Sequence, residues 1–205
     1  MVRRSVWTYS FREVKELLIA WLVLGFSFSA RYLQYPTQFP TYFSVSLLTV
    51  GAAFVCHELA HKFVAQRYGC WAEFRLWTWG LVLALIMAFI SALSGSWIIF
   101  AAPGAVYIVP MVRRVGWNFD FGARSYGLIS LMGPLINILL AVLFSPLRGL
   151  GGILTLIGLL GYSINLWLAI FNMLPFPPLD GYKVFMWNRV VWAVITIPLI
   201  AMIFF

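Results

Sequence analysis

Residues 57–61 read HELAH, a stretch that combines two imidazoles and a carboxylate at a spacing suited to metal chemistry. His57 and His61 are four residues apart, so on a helix they share one face, about 6 Å apart along the axis, and can bind one ion. Glu58 lies beside that face, where it can act on water instead of on the metal. This spacing is typical of zinc hydrolases, in which zinc activates water and the glutamate accepts its proton. Both histidines of the chain lie in this motif.

The composition predicts that these residues lie within a membrane. The chain is 63% hydrophobic and 10% charged, with a mean hydropathy of +0.94, which excludes a soluble globular domain. Apolar stretches long enough to cross a bilayer as helix predict an all-α transmembrane fold with about six membrane-spanning helices. The predicted spans are 15–33, 43–65, 77–94, 125–147, 152–174 and 185–205.

The HELAH motif falls in the second of these predicted spans. Ionisable groups at membrane depth are costly, so their presence there favours a functional site. The alternative is that a histidine and a glutamate pair across helices and only hold the bundle together. Because one carboxylate and two histidines occur together, we favour the functional interpretation.

Residues 96–112 form an apolar segment that is interrupted by Pro103 and Gly104 and ends near Pro110. This pattern predicts a β hairpin or a re-entrant loop more than a helix. If the segment returns across the membrane, about twelve Lys and Arg residues face the side of the amino terminus, and only Arg31 and Arg148 face the other. The positive-inside rule therefore predicts a cytosolic amino terminus and a cytosolic opening of the site. The net charge of +8 is explained by topology and does not indicate nucleic-acid binding.

A catalytic zinc ion usually has three protein ligands, so a third ligand must come from outside HELAH. The candidate acids are Glu13, Glu16, Glu73, Asp120 and Asp180. Asp180 alone lies in a stretch shaped for a site, NMLPFPPLDG at 172–181, where three prolines end a predicted span. Irregular backbone at membrane depth is tolerated where it lines a cavity or is buried in protein.

Three motifs in this order resemble the site-2 protease family of intramembrane zinc metalloproteases. They are HELAH at 57–61, GPLIN at 133–137 and N-x-x-P-x-x-P-L-D-G at 172–181. The resemblance implies that His57, His61 and Asp180 bind one zinc ion and that Glu58 is the general base. Tyr182 stands where the family often has a second glycine, a change expected to affect only the turn.

The same resemblance implies a substrate and two further site residues. Asn137 and Asn172 match polar positions at which the family holds the substrate backbone or the developing oxyanion. The expected activity is hydrolysis of peptide bonds within transmembrane segments, by residues 1–205 acting as a single integral membrane domain in the cell membrane. The β-prone stretch Ile98–Val109 is expected to offer a strand edge to an extended substrate.

Two other functions are compatible with these residues. A zinc transporter also places histidines in the bilayer, although it needs further metal ligands along several helices. An inactive relative would bind a membrane client without cutting it, although every residue that the chemistry requires is present. The expected partners are a transmembrane protein substrate and the lipid bilayer.

Overall fold

A computed structural model describes residues 9–110 and 122–202. This part of the chain is mostly helical and contains one small antiparallel sheet. Asp120, the end of the predicted segment 96–112 and the last residues of the predicted span 185–205 lie outside it. The elements are α1 (Phe11–Ser29), α2 (Phe39–Val50), α3 (Cys56–Arg67), β1 (Cys70–Leu76), α4 (Thr78–Ser94), β2 (Gly104–Pro110), α5 (Ala123–Phe144), α6 (Gly152–Asn172), α7 (Asp180–Trp187) and α8 (Arg189–Ala201).

Four helical stretches within the described residues are long and apolar enough to cross a membrane: Phe11–Gln34, Phe39–Arg67, Ala123–Gly149 and Gly152–Asn172. The prediction of an all-α transmembrane fold is confirmed. The other two predicted spans, 77–94 and 185–205, contain the shorter apolar helices α4, with 17 residues, and α8, with 13. The predicted span 185–205 is divided at Asn188, whose side chain accepts hydrogen bonds from Val190 N and Val191 N and so begins α8.

The second spanning stretch contains a π-helical turn between α2 and α3. Residues Gly51–Val55 form this turn, and only Cys56 separates it from the HELAH motif. The Trp21 side chain packs against it: a Cβ built on Gly51 would lie 3.0 Å from Trp21 Nε1. Such turns interrupt the α-helical register and frequently lie at functional sites. Here the turn sets the direction in which the next helix presents its side chains.

The sheet corrects the prediction for residues 96–112. β2 is a strand, but its partner is β1, in an antiparallel register from Cys70 opposite Pro110 to Leu76 opposite Gly104. Residues 96–103 form no strand, so the segment is not a hairpin on its own. No strand was predicted for β1. Its sequence, CWAEFRL, contains the charged residues Glu73 and Arg75 and lies between two apolar predicted spans.

Helix α4 and the segment after it connect the two ends of the molecule. α4 begins beside the sheet and ends near Gln34, whose Nε2 donates to Ala92 O at 2.9 Å and to Leu93 O at 3.1 Å. The following residues return to the sheet, where Pro110 lies opposite Cys70. Residues 95–110 thus bring the chain back to the level at which α3 ends.

Two apolar clusters hold the helices around the site. One includes Leu24, Phe54, Phe74 and Ile164 and joins α1, the π turn, β1 and α6. The other joins α5, α6, α7 and α8 through Leu131, Ala169, Met173, Val184 and Leu199. The second cluster fixes the loop between α6 and α7 against α5, and that loop leads directly to Asp180.

Candidate metal centre

The three residues predicted to bind a metal come together from α3 and α7. His57 Nε2 and His61 Nε2 are 3.0 Å apart. Asp180 Oδ2 lies 3.2 Å from His57 Nε2 and 2.9 Å from His61 Nε2. Both imidazoles are buried, and the carboxylate is half-buried. Among the described residues, these three form the group of His, Cys, Asp or Glu side chains that can hold a metal ion.

The position of Asp180 depends on close packing of the α6–α7 loop. Asp180 is the first residue of α7, and Gly181 follows it. A Cβ on Gly181 would lie 2.6 Å from Met173 Cα, so a side chain at 181 would push α7 away from the end of α6. Trp192 Nε1 donates to Met173 O at 2.7 Å and fixes the same corner from α8. The glycine of the L-D-G motif is therefore a packing requirement for the carboxylate.

Hydrogen bonds on the far side of each imidazole orient both rings. His57 Nδ1 lies 2.6 Å from Asn137 Oδ1, and His61 Nδ1 lies 2.8 Å from Ile129 O. A carbonyl oxygen can only accept, so each Nδ1 carries the proton and donates it. Each Nε2 then presents a lone pair towards Asp180, in the arrangement that histidine ligands of metals usually adopt.

These three lone-pair donors fit a zinc ion. Zinc lies about 2.0–2.2 Å from nitrogen and carboxylate ligands, so neighbouring ligands of a tetrahedral ion are about 3.3 Å apart. The three separations here are 2.9, 3.0 and 3.2 Å. Two Nε2 lone pairs at 3.0 Å repel each other, and a cation shared with the carboxylate replaces this repulsion with attraction.

Two relatives agree with this geometry. The chain is 41% identical over 199 residues to the Methanocaldococcus jannaschii protein named "Putative zinc metalloprotease MJ0611", and the match covers 96% of this chain and 95% of the relative. The chain belongs to this zinc metalloprotease family. The Bacillus subtilis protein named "Putative zinc metalloprotease YwhC" is 29% identical over 167 residues, which are 75% of this chain and 72% of that protein. No protein-family model and no solved structure matches the chain.

Family membership makes the protein a zinc metallopeptidase with zinc as its cofactor. The metalloprotease places Glu58 next to His57 in a buried position, with 7% of its surface exposed. Among the described residues, its Oε2 atom has no hydrogen-bond partner. A buried carboxylate oxygen without a partner is costly. The role of Glu58 as the general base stays a prediction.

Gly133, the first residue of the GPLIN motif, keeps the surface of α5 open beside both imidazoles. A Cβ built at this position would lie 2.5 Å from His57 Nε2, closer than real Cβ contacts, and would also meet His61 Nε2. Any side chain here would occupy the space that the Nε2 atoms face. The glycine is thus explained by the metal-binding group and not by helix formation, which it weakens.

Three amides of the metalloprotease lie on α5 and α6. Asn137 is fully buried, and its Nδ2 donates to Ala53 O and to Asn165 Oδ1, both at 3.0 Å. Asn172 is half-buried at the end of α6, where its Nδ2 donates to Leu168 O at 3.0 Å. A substrate-binding role for Asn137 and Asn172 stays a prediction. Sequence reasoning missed Asn165, although a lone amide in an apolar span is itself a signal.

Lys183 also lies near the metal-binding group. It is one turn after Asp180 on α7, and its Nζ is 3.4 Å from Asp180 Oδ1. The carboxylate therefore directs Oδ2 towards the imidazoles and Oδ1 towards a cation. This division helps to fix the rotation of the carboxylate about its own axis.

Proposed function

We propose that this zinc metallopeptidase is an intramembrane endopeptidase of the site-2 protease type, which hydrolyses peptide bonds within transmembrane segments. One observation carries the proposal: His57, Glu58 and His61 lie on the stretch Phe39–Arg67, which is long and apolar enough to span a membrane, and Asp180 meets the two imidazoles from the short helix α7. A site at this depth is accessible to peptide bonds that lie in or near the bilayer.

The site residues have separate roles in this proposal. His57, His61 and Asp180 would hold the ion, with each Nδ1 donating its proton to an oxygen and each Nε2 facing the ion. Bound zinc supplies Lewis-acid activation of water and of the scissile carbonyl. Glu58 accepts the proton from the attacking water and later gives it to the leaving amine. Asn172 contributes at the substrate side of the site from the half-buried end of α6. Asn137, which is fully buried, holds the imidazole of His57.

A transmembrane helix must unwind before its peptide bonds can be cut. Its amides are hydrogen-bonded within the segment, and each unpaired backbone group in lipid costs several kcal/mol. We propose that β2 supplies partners to the unwound substrate by strand addition. Good substrates are then expected to carry Gly, Pro, Asn or Ser within about two turns of the cut.

The register of the sheet indicates which backbone groups of β2 are available for this. Phe74 N and Leu76 N of β1 donate to carboxylates of α1, so they point away from β2. In an antiparallel pair, the residues opposite them also point away from the partner strand. Val106 lies opposite Phe74, and Ile108 is two residues further along the same edge. Their backbone groups face away from β1.

Proline substitutions test this edge. Ile108→Pro removes an N–H that faces away from β1, so we expect slower cleavage with the sheet and the zinc content intact. Tyr107→Pro removes an N–H that faces β1 and serves as the structural comparison, because it is expected to weaken the sheet itself. Equal cleavage by Ile108→Pro and the unaltered enzyme would contradict strand addition.

We also propose that the amino terminus and the opening of the site face the cytosol. Cysteines introduced at Arg67 and Lys183 are expected to react with an impermeant reagent from the cytosolic side, and one at Arg148 from the opposite side. The natural Cys56 is exposed and is replaced first. Labelling of Arg148 and Lys183 positions from the same side would contradict this topology.

The decisive experiment is Glu58→Gln in purified protein with a model transmembrane substrate. We expect one zinc per chain to remain while hydrolysis falls by about 10² or more, the loss typical of a missing general base. The unaltered enzyme with a chelator should also lose activity and regain it with zinc. Chelator-insensitive cleavage, or full activity of Glu58→Gln, would overturn the proposal. Zinc transport without cleavage would favour a transporter, and neither activity would favour an inactive client-binding protein.

A further inference from the structure

A line of buried hydrogen bonds links the metal-binding group to the interior of α6. Asn165 Nδ2 donates to Gly161 O at 2.8 Å, and Asn165 Oδ1 accepts from Asn137 Nδ2 at 3.0 Å. Asn137 Oδ1 then accepts from His57 Nδ1 at 2.6 Å. Asn137 and Asn165 have no exposed surface, and His57 is 3% exposed. The line crosses from α6 through α5 to α3.

The direction of this line is fixed by a backbone carbonyl at each amide. Gly161 O can only accept, so the NH₂ group of Asn165 must face it and the Oδ1 atom must face Asn137. Ala53 O can also only accept, and it faces the NH₂ group of Asn137. A flip of either amide would bring two acceptors into contact. Asn137 therefore presents oxygen to His57.

The imidazole at the end of the line follows from this direction. Because Asn137 presents an oxygen, His57 carries its proton on Nδ1 and keeps a lone pair on Nε2. Without the acceptor on Asn165, one N–H of Asn137 would lose its partner in an apolar interior. Rotation of Asn137 to recover a partner would withdraw Oδ1 from His57.

We propose that Asn165 is a positioning residue of the zinc site: it holds Asn137, which in turn fixes the tautomer and orientation of His57. This inference rests on the proposed role of His57 as a zinc ligand. Groups that hold a metal-binding histidine from behind typically contribute about 10–100-fold to metal affinity. Asn165 reaches the same imidazole through one further amide.

The first test is the zinc affinity of Asn165→Leu, measured in detergent by competition with a chromogenic chelator. We expect affinity to fall by about 10–100-fold, with a changed absorption spectrum of the Co²⁺-substituted protein. Thr196→Val is the matched control, because Thr196 is a buried polar residue of another apolar helix. Its zinc affinity and Co²⁺ spectrum are expected to stay unchanged. Unchanged affinity in Asn165→Leu would overturn the inference.

Two further variants keep the test informative if Asn165→Leu does not fold. Asn165→Ser is small and polar, and its hydroxyl is too short to reach Asn137, so it should also weaken zinc binding about tenfold. Asn165→Asp, protonated in the apolar interior, retains an acceptor for Asn137 and a donor for Gly161 O, so it should restore affinity. Normal affinity in Asn165→Ser, or no restoration in Asn165→Asp, would overturn the inference.

A double-mutant cycle separates positioning from general packing. If Asn165 acts through Asn137, then Asn165→Leu should weaken zinc binding no further once Asn137→Ala is present. Additive losses would show an independent effect and overturn the inference. The variant His57→Ala distinguishes the two proposals: retained zinc in it would overturn the ligand assignment, whereas loss of zinc there with normal binding in Asn165→Leu would overturn this inference alone.

Discussion

Helix α3 contributes side chains to two buried polar clusters, which differ in whether each charge or lone pair has a partner of opposite sign. The metal-side cluster contains the imidazoles His57 and His61, the carboxylate Asp180 and the amides Asn137 and Asn165. The sheet-side cluster pairs Lys62 with Glu13 and Arg75 with Glu73. Lys62 Nζ lies 2.5 Å from Glu13 Oε2, and both side chains are almost fully buried.

The difference between the clusters lies in what remains unmatched. In the sheet-side cluster, each charge faces an opposite charge, and the remaining oxygen of Glu13 accepts from Phe74 N at 3.0 Å. In the metal-side cluster, neutral groups satisfy the Nδ1 atoms while three lone pairs converge, and the nearby cation Lys183 faces the other oxygen of Asp180. Matched charges hold α1, α3 and β1 together. Unmatched lone pairs create a place for a cation, so the balance of donors and acceptors distinguishes the site from the scaffold.

Removal of one carboxylate from each cluster should give the largest contrast. Asp180→Ala leaves two imidazoles, which are too few ligands for a stable zinc site, so we expect loss of both zinc and hydrolysis. Glu73→Ala removes a carboxylate of the sheet-side cluster and should retain one zinc per chain. Metal analysis of both purified variants checks this. A normal zinc content in Asp180→Ala would move the third ligand to another acid.

Breaking the sheet-side ion pair should reduce stability without removing the metal site. Glu13→Gln leaves the buried Lys62 ammonium without its counter-charge, a change that typically costs about 3–5 kcal/mol. The double variant Glu13→Gln with Lys62→Met should recover much of this loss, because no buried charge then lacks a partner. Thermal unfolding in detergent measures both effects. Equal stability of the single variant and the unaltered protein would show that the pair does not hold α1 to α3.

A smaller effect is expected from a single methyl group added to α5 beside the imidazoles. Gly133→Ala puts a Cβ where it meets His57 Nε2 and His61 Nε2, so zinc affinity should fall by about tenfold or more. Gly149→Ala is the matched control, because a Cβ there meets nothing within 4 Å. Both affinities are measured by chelator competition. An unchanged affinity in Gly133→Ala would show that the space beside α5 is not used by the ion.

Sequence reasoning found the metal-binding group because its signals are local. The HELAH spacing on one helix face and the carboxylate of the L-D-G motif can be read from neighbouring letters, and the structure brings His57, His61 and Asp180 together. Asn165 could not be placed in the same way. Its role depends on contacts with Asn137 on another helix, and those contacts come from packing that no local pattern specifies.

The sheet was only partly predicted for a related reason. The stretch 104–110 is rich in β-branched and aromatic residues, which predict a strand. In β1, a glutamate and an arginine interrupt the apolar residues, so no strand was predicted there. Their partners are distant in sequence and include Ser10, which caps α1, and Glu16 of α1. Lys62 was counted with the loop charges that set topology, but it is buried in an ion pair. Charged residues of a membrane protein can be assigned to loops or to the interior only when their partners are known.

The π turn at Gly51–Val55 has a consequence for the comparison of this chain with its relatives. A π turn holds one more residue than the α-helical turn it replaces, and each residue of an α-helix rotates the chain by about 100°. If these residues formed an α-helical turn without the loss of one residue, His57 would therefore be directed away from Asp180 even though every letter of HELAH is kept. A relative with an uninterrupted α-helix here would align with a one-residue gap, and that gap would be compatible with an intact metal site, because the shorter turn keeps HELAH in phase with the helix before it.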